Sequence, residues 1–250
     1  MSNYSEEVYK NIAKVSNQDL LPIAHKNFLE YMKNHLYIND EIKVIYDIGS
    51  CVLHWSRWAT HFWPNAKLFC IDGFDALKEM YNINKINYHL GVLSNKNNEV
   101  VNWWENNLLY GGNSIYKEIN DQIFNDNNKL SRVSRTLDSV VMEKGWPTPD
   151  LIKIDVQGAE MDILKGGLET IANCKYIIME LQEIEYNIGA PLAKQVIEFM
   201  RVNGWLLHTP KFSNNLYDAD YFFINGRLLL ENNKNNYYNN SLFLGGKLNI

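Results

Sequence analysis

The period of the hydrophobic pattern changes several times along the chain. Residues 4–38 place apolar side chains three and four apart: Val8, Ile12 and Val15, then Phe28, Leu29, Met32 and Leu36. That spacing predicts one or two amphipathic helices with a break near Leu21-Pro22, because proline cannot continue a helix. From residue 43 short apolar runs take over. KVIYDIG, AKLFCID, INYHLGVLS, DLIKIDV and KYIIMEL each have the length of a buried strand. Helical spacing returns between them in VLHWSRWATHFW, ALKEMYN, SRTLDSVVMEKGW (which also carries a strand end) and AEMDILKGGLETI. It appears once more in PLAKQVIEFMRVNG, where Gly204 closes the helix. WLLHTP and DADYFFIN predict a final antiparallel pair. Asn95 to Lys129 is rich in Asn and reads as an inserted loop, and ENNKNNYYNNSLFLGGKLNI as a low-complexity tail.

Strands alternating with helices imply a mostly parallel, doubly wound α/β sheet with helices on both faces. The expected organisation is a helical extension over 1–40, one catalytic-type domain over 41–226 and an Asn-rich tail over 227–250. Ligands of such sheets bind beyond the carboxyl ends of the strands, near the point where strand order reverses. The residues just after each strand are therefore the ones to inspect.

Composition narrows the partners. The chain has 250 residues, 46% hydrophobic and 21% charged, with a net charge of −5. No basic cluster offsets that charge, so a nucleic-acid partner is not expected. Cys51, Cys70 and Cys174 are far apart and form no CxxC pair, which fits a reducing, cytoplasmic setting. No run approaches the length of a membrane span, and the polar start MSNYSEEVYK is unlike a signal peptide.

After the first strand come Asp47, Gly49, Ser50 and Cys51. A GxGxxG phosphate cradle would need glycines at 51 and 54, where Cys51 and His54 stand, so a ligand without a pyrophosphate is favoured. Asp72 ends the second strand, 23 residues past Gly49, at the spacing of a carboxylate that accepts from ribose hydroxyls. Gly73 follows, and Phe74 is placed to lie against an adenine face. Gly91 and Val92 after the third strand leave room beside a purine. Asp155 ends the fourth strand, Glu160 falls in the first turn of the next helix, and Glu180 ends the fifth. Glu160 reads equally well as a helix cap. The three carboxylates can converge, raising one another's pKa or binding a cation; no residue is assigned as a metal ligand. His54, between the glycine loop and Trp55, can reach the cleft but reads better as a packed residue, and Trp103 and Trp104 can stack on a sugar ring but read better as core in a helix-like context. The YGGNS loop, Tyr110 to Ser114, reads equally as a closing lid or a surface turn.

TLDSVV, followed by DLIKIDVQGAEMDILKGG, closely resembles the signature of the FkbM-type methyltransferases. The likeness extends through YDIGS, CIDGFD and GVLSN upstream and IIMELQE and FMRVNGW downstream, roughly residues 42–225. The resemblance implies a Rossmann-like, seven-stranded class I methyltransferase sheet with its last strand antiparallel. It implies an S-adenosylmethionine-dependent O-methyltransferase acting on a hydroxyl of a small molecule, sugar or glycan. By position, Asp47, Gly49, Ser50 and Cys51 would flank the methionine part of the cofactor, Asp72 would hold the ribose, and Asp155 would sit near the transferring methyl. Asp155 is the first candidate for base or orienter. Lys153 lies on the same strand face and can pair with a carboxylate; Glu160 and Glu180 are candidates for holding substrate hydroxyls. Three positions depart from the family pattern: the loop reads Gly49-Ser50-Cys51 with Leu53, the usual Glu after strand two is Asp72, and the usual Glu before Gly158 is Gln157. The rival readings are a nicotinamide-dependent oxidoreductase and a non-catalytic relative that binds the cofactor. Oligomeric state stays open, with a homodimer compatible.

Overall fold

In the computed structural model, which describes residues 4–35, 42–120, 122–213 and 216–228, two helices precede the sheet. They are α1 (Glu6–Ser16) and α2 (Ile23–His35), separated at the expected Leu21-Pro22 break. Glu6 and Glu7 sit in the first turn of α1, where a negative charge complements the helix dipole. Nearly all of the tail expected over 227–250 lies outside the described residues.

Seven strands form one sheet. They are β1 (Val44–Ile48), β2 (Lys67–Asp72), β3 (Asn87–Leu90), β6 (Leu151–Ile154), β7 (Tyr176–Gln182), β8 (Trp205–Phe212) and β9 (Asp218–Asn225). Their order is β3-β2-β1-β6-β7-β9-β8. All pairings are parallel except those of β9, which runs against both β7 and β8. This is the expected class I methyltransferase sheet. Strand order reverses between β1 and β6, so a cleft opens above their carboxyl ends.

Alternation along the strands sorts side chains onto two faces. Tyr46, Ile48, Ile152, Ile154, Ile177 and Met179 enter one core. Against it pack α5 (Leu137–Lys144), α6 (Glu160–Gly166) and α8 (Ala193–Val202) through Val140, Ile163 and Val196. Ile45, Leu151, Ile178, Phe222 and Ile224 point the other way, onto Phe28, Leu29 and Met32 of α2 and onto Trp55 and Ala59 of α3 (His54–Phe62). Phe28 is 1% exposed and lies against Phe212 and Phe222, so α2 is fastened to the β9 side of the sheet. Burying one such side chain contributes about 1.5–3 kcal/mol.

The stretch expected as a single helix over AEMDILKGGLETI is two helices, α6 and then α7 (Leu168–Ala172). A Cβ on Gly166 would lie 2.3 Å from the Ser94 carbonyl oxygen, so the chain bends where only glycine passes a neighbouring backbone. A second correction concerns Asn95 to Lys129. It contains β4 (Val100–Trp104), which pairs antiparallel with β5 (Lys129–Val133). Trp103 and Trp104 are thus strand residues, not helical ones. The two strands are largely exposed, and 24 residues separate them, so neither period nor turn spacing announces the pair. No helix among the described residues is long and apolar enough to cross a membrane.

Candidate active site

The loop leaving β1 approaches the end of β6 at backbone distance. Gly49 has φ +81, and a Cβ there would meet the Asp155 carbonyl oxygen at 1.7 Å. Further on, Cys51 (φ 45) and Leu53 (φ 67) also hold left-handed backbone, which side chains with a Cβ adopt at a cost. Those are the positions where the glycine loop departs from the family pattern. The backbone shape is kept although the residues are changed. It turns the Cys51 N–H onto Asp72 Oδ2 at 2.8 Å, while Phe74 N–H donates to Asp72 Oδ1 at 2.9 Å.

A cleft of about 540 Å³, counted to its open mouth, lies over this loop. Gly49, Cys51, Asp72, Gly73, Gly91, Val92 and Asp155 all line it. Asp72 and Asp155, from different strands, therefore face one space. The remaining wall is Trp103, Tyr110, Asn113, Val156 and Gln157 with several aliphatic side chains. A Cβ on Gly73 would lie 2.6 Å from the Trp103 ring, so that residue's smallness seats the indole.

The other expected site residues lie behind the wall. Asp47 is fully buried and accepts from the Ser56 hydroxyl. Ser50 Oγ lies 2.8 Å from Tyr81 Oη. Both support the loop and do not line the cleft. Phe74 requires a correction. It is 1% exposed, edge-on to Tyr4 and stacked on Tyr110 with centroids 5.5 Å apart. Its ring is therefore core, and Tyr110 is the aromatic on the cleft side. His54 Nε2 contacts the Val15 carbonyl at 2.9 Å, binding α3 to the N-terminal helices. Glu160 is buried, and its Oε1 accepts from Val156 N–H and Gly158 N–H, which closes the turn after β6.

Lys153, Asp155, Glu180 and Asp47 share the sheet face under α2 and α3. Register places Asp47 beside Lys153, and the β6–β7 register continued by one step places Asp155 beside Glu180. Lys153 Nζ donates to Asp155 Oδ2 at 2.7 Å and lies 5.8 Å from the Trp55 ring centroid. Gln157 Nε2 donates to both Asp155 Oδ1 at 3.0 Å and Glu180 Oε1 at 3.1 Å. Tyr186 Oη donates to Gln157 Oε1. Gln157, with φ 57, is thus the bracket between the two acids.

Charge follows from these contacts. Burial alone would lower Lys153, but Asp155, Asp47 and Glu180 outweigh it and raise the ammonium, which stays charged. Burial alone would raise Asp155, but Lys153, with help from His25 and the Gln157 amide, holds it below the ordinary carboxylate value. Glu180 goes the opposite way: burial, with Asp155, Asp220 and Asp218 nearby, pushes it well up. Burial also pushes Asp72 to about 6 against its two backbone donors, and Glu160 to about 7.

The wall fits a nucleoside bearing a sulfonium. Apolar and aromatic groups suit a purine, Asp72 suits vicinal hydroxyls, and the fixed anion of Asp155 suits a cation. Two buried polar groups on the wall, Tyr110 Oη and Asn113 Nδ2, have no hydrogen-bond partner among the described residues and are available to a ligand. Trp103, Tyr110, Asn113 and Gln157 were not singled out for this wall from sequence. The signals that touched them were the YGGNS loop for Tyr110 and Asn113, the alternative of ring stacking for Trp103, and the departure from the family pattern at Gln157.

The methyltransferase FkbM domain family matches residues 47–207. A 71-residue stretch is 34% identical to the 2-O-methyltransferase NoeI of Sinorhizobium fredii. That match covers 28% of this chain and 29% of NoeI, so it spans less than a third of that relative's length. Among solved structures, cofactor-bound Rv0187 from MTB aligns over 88% of this chain and 90% of its own, at 11% identity and a TM-score of 0.49. The O-methyltransferase TomG from Streptomyces achromogenes, in complex with SAM, aligns over 90% and 91% at 10% identity and a TM-score of 0.47.

Proposed function

Because the chain belongs to the FkbM methyltransferase family, whose cofactor is S-adenosylmethionine, we propose that it transfers the cofactor's methyl group to an oxygen, a hydroxyl on a sugar or glycan. One observation carries this reading: Asp72 and Asp155 face a single cleft at the strand-order reversal, with the left-handed Gly49–Leu53 loop between them. The oxygen acceptor is supported by the stretch shared with a 2-O-methyltransferase. A sugar is the acceptor class that the FkbM resemblance implies.

In this reading Asp72 holds the ribose, and Gly49, Cys51 and Gly73 give the cofactor close approach to backbone. Trp103, Tyr110, Gly91 and Val92 enclose the base. Bound there, S-adenosylmethionine supplies an activated methyl on sulfur. Transfer is an in-line displacement, so the protein's main contribution is alignment and exclusion of water, which supplies up to about 7–11 kcal/mol. Asp155 is suited to orientation more than to taking a proton. Its carboxylate is already paired with Lys153 and Gln157, and its lowered pKa makes it a weak base. Glu180 and Tyr186 stand on the far side of Gln157, where an acceptor's hydroxyls would lie.

The experiment is a thermal-shift comparison of S-adenosylmethionine, S-adenosylhomocysteine and NAD, followed by a screen of free glycans and nucleotide sugars with methyl-labelled cofactor. A ligand at 100 times its Kd adds about 2.7 kcal/mol. Stabilisation by both S-adenosyl compounds and label on an acceptor oxygen is expected. A shift with NAD alone would overturn the reading.

A further inference from the structure

The face that carries Asp155 and Glu180 continues beyond the cleft. Glu180 and Asp220 are directly paired across β7 and β9. Two like charges opposite one another on one sheet face are destabilising. Both are kept from water: Asp220 is 3% exposed and the Glu180 side chain 16%. His25, on the first turn of α2, lies between them. Its Nδ1 is 2.5 Å from Asp220 Oδ2 and its Nε2 is 3.8 Å from Glu180 Oε2. His25 is itself 8% exposed.

Hydrogen bonding leaves this cluster unfinished. Asp220 Oδ1 and His25 Nδ1 are buried and make no aligned hydrogen bond to any described residue. Along the row Asp47, Lys153, Asp155, Glu180 and Asp220 there are four carboxyl groups and one ammonium, and Lys153 is already committed to Asp155. A buried charge needs a partner or a metal.

We infer that His25, Glu180 and Asp220 form a binding site for a divalent cation of the Mn2+, Co2+ or Zn2+ class. One donor atom from each lies within 4.8 Å of the others. An ion about 2.1 Å from each donor places the donors roughly 3–4 Å from one another, so the widest separations close by tenths of an ångström while His25 Nδ1 and Asp220 Oδ2, now 2.5 Å apart, open to admit the ion. One imidazole with two carboxylates favours these borderline ions over Ca2+ or Mg2+, which prefer oxygen alone. His25 and Asp220 both lie outside the family's 47–207 span, so the extension and the last strand complete a site that the shared domain holds only in part. The ion offsets the surplus negative charge and ties α2 to the sheet. Glu180 uses Oε2 toward the ion, and its Oε1 stays on Gln157, one hydrogen bond from Asp155 and the cleft.

The test uses the full chain with neither cofactor nor acceptor present, so its outcome is independent of the methyl-transfer reading. Chelator-treated protein is titrated calorimetrically with Mn2+, Co2+ and Zn2+, and the visible absorption of the Co2+ form is recorded. One equivalent is expected, with a raised Tm and a cobalt spectrum of mixed nitrogen and oxygen ligation. Asp220→Asn and His25→Gln should each weaken binding more than about tenfold, since even outer-shell changes typically cost about 10–100-fold. Glu160→Gln, a buried carboxyl outside the cluster, should leave binding intact. Circular dichroism establishes that each variant folds. Absence of saturable one-to-one binding in the unaltered chain overturns the proposal whether or not the variants fold, as does undiminished binding in both folded variants.

Discussion

Gly49 is the residue where loop and strand meet most tightly. Its side-chain hydrogen occupies the place where a methyl would strike the Asp155 carbonyl, and its φ is +81. Gly49→Ala should therefore cost at least the about 1–3 kcal/mol of an overpacked site, read as a lower denaturant midpoint, and should weaken S-adenosylmethionine binding. Asp72 gives a pH signature. Its pKa of about 6 separates an ionised acceptor for ribose hydroxyls from a protonated carboxyl. Cofactor Kd should accordingly rise as pH falls from 7.5 to 5, and Asp72→Asn should bind weakly with no such slope; calorimetry at three pH values measures it. Glu160 gives a stability signature of the opposite sense. It titrates near 4.5 unfolded and near 7 folded. Its favourable contribution is complete below 4.5 and disappears as pH rises through 7, at about 1.4 kcal/mol per unit. Glu160→Gln keeps an oxygen for both backbone donors, so the Tm difference between pH 5 and pH 8 should shrink. The sequence made Asp72 and Asp155 visible because each ends an apolar run at a sheet edge. It did not show that Phe74 would turn inward, because that depends on Tyr4 and Tyr110, which lie far off in sequence.

At the scale of elements, the parallel strands were legible because buried runs of branched residues have no other common use. The β4–β5 hairpin was not. Its strands show burial patterns of mostly exposed positions, so neither alternation nor a continuous apolar run stands out. Yet it carries Trp103 to the cleft. Trp103→Ala should open the wall beside Gly73 and lower cofactor affinity, with a stability loss of about 3–5 kcal/mol; equilibrium titration and urea unfolding separate the two effects. The N-terminal helices were legible as helices from three-and-four spacing. Their contribution to the site was not, since periodicity gives a face without its counterpart. His25 reaches Glu180 and Asp220 only because Phe28, one turn on, is held by Phe212 and Phe222.

For the whole molecule, the order β3-β2-β1-β6-β7-β9-β8 brings residues from 48 to 163 to one opening. Alternation predicted the parallel core, and the antiparallel close followed from the resemblance. The wall opposite the strand ends, from Trp103 to Ile115, came from neither. It belongs to an insertion whose fold is set by long-range contacts such as Ser114 Oγ on the Gln157 carbonyl. Asp155, expected as base or orienter, lines the cleft, and in the proposed reading its pairing with Lys153 and Gln157 suits it to orientation.

Tyr4 donates its hydroxyl to Glu105 and sets its ring edge-on to Phe74, which in turn lies flat beneath Tyr110 at the cleft. The first described side chain is thus two rings away from the cleft. Loss of Tyr4 removes the ring that packs edge-on to Phe74 and so alters the floor of the cleft. Ligand-binding measurements on a chain without that ring would report its loss as much as the cleft itself.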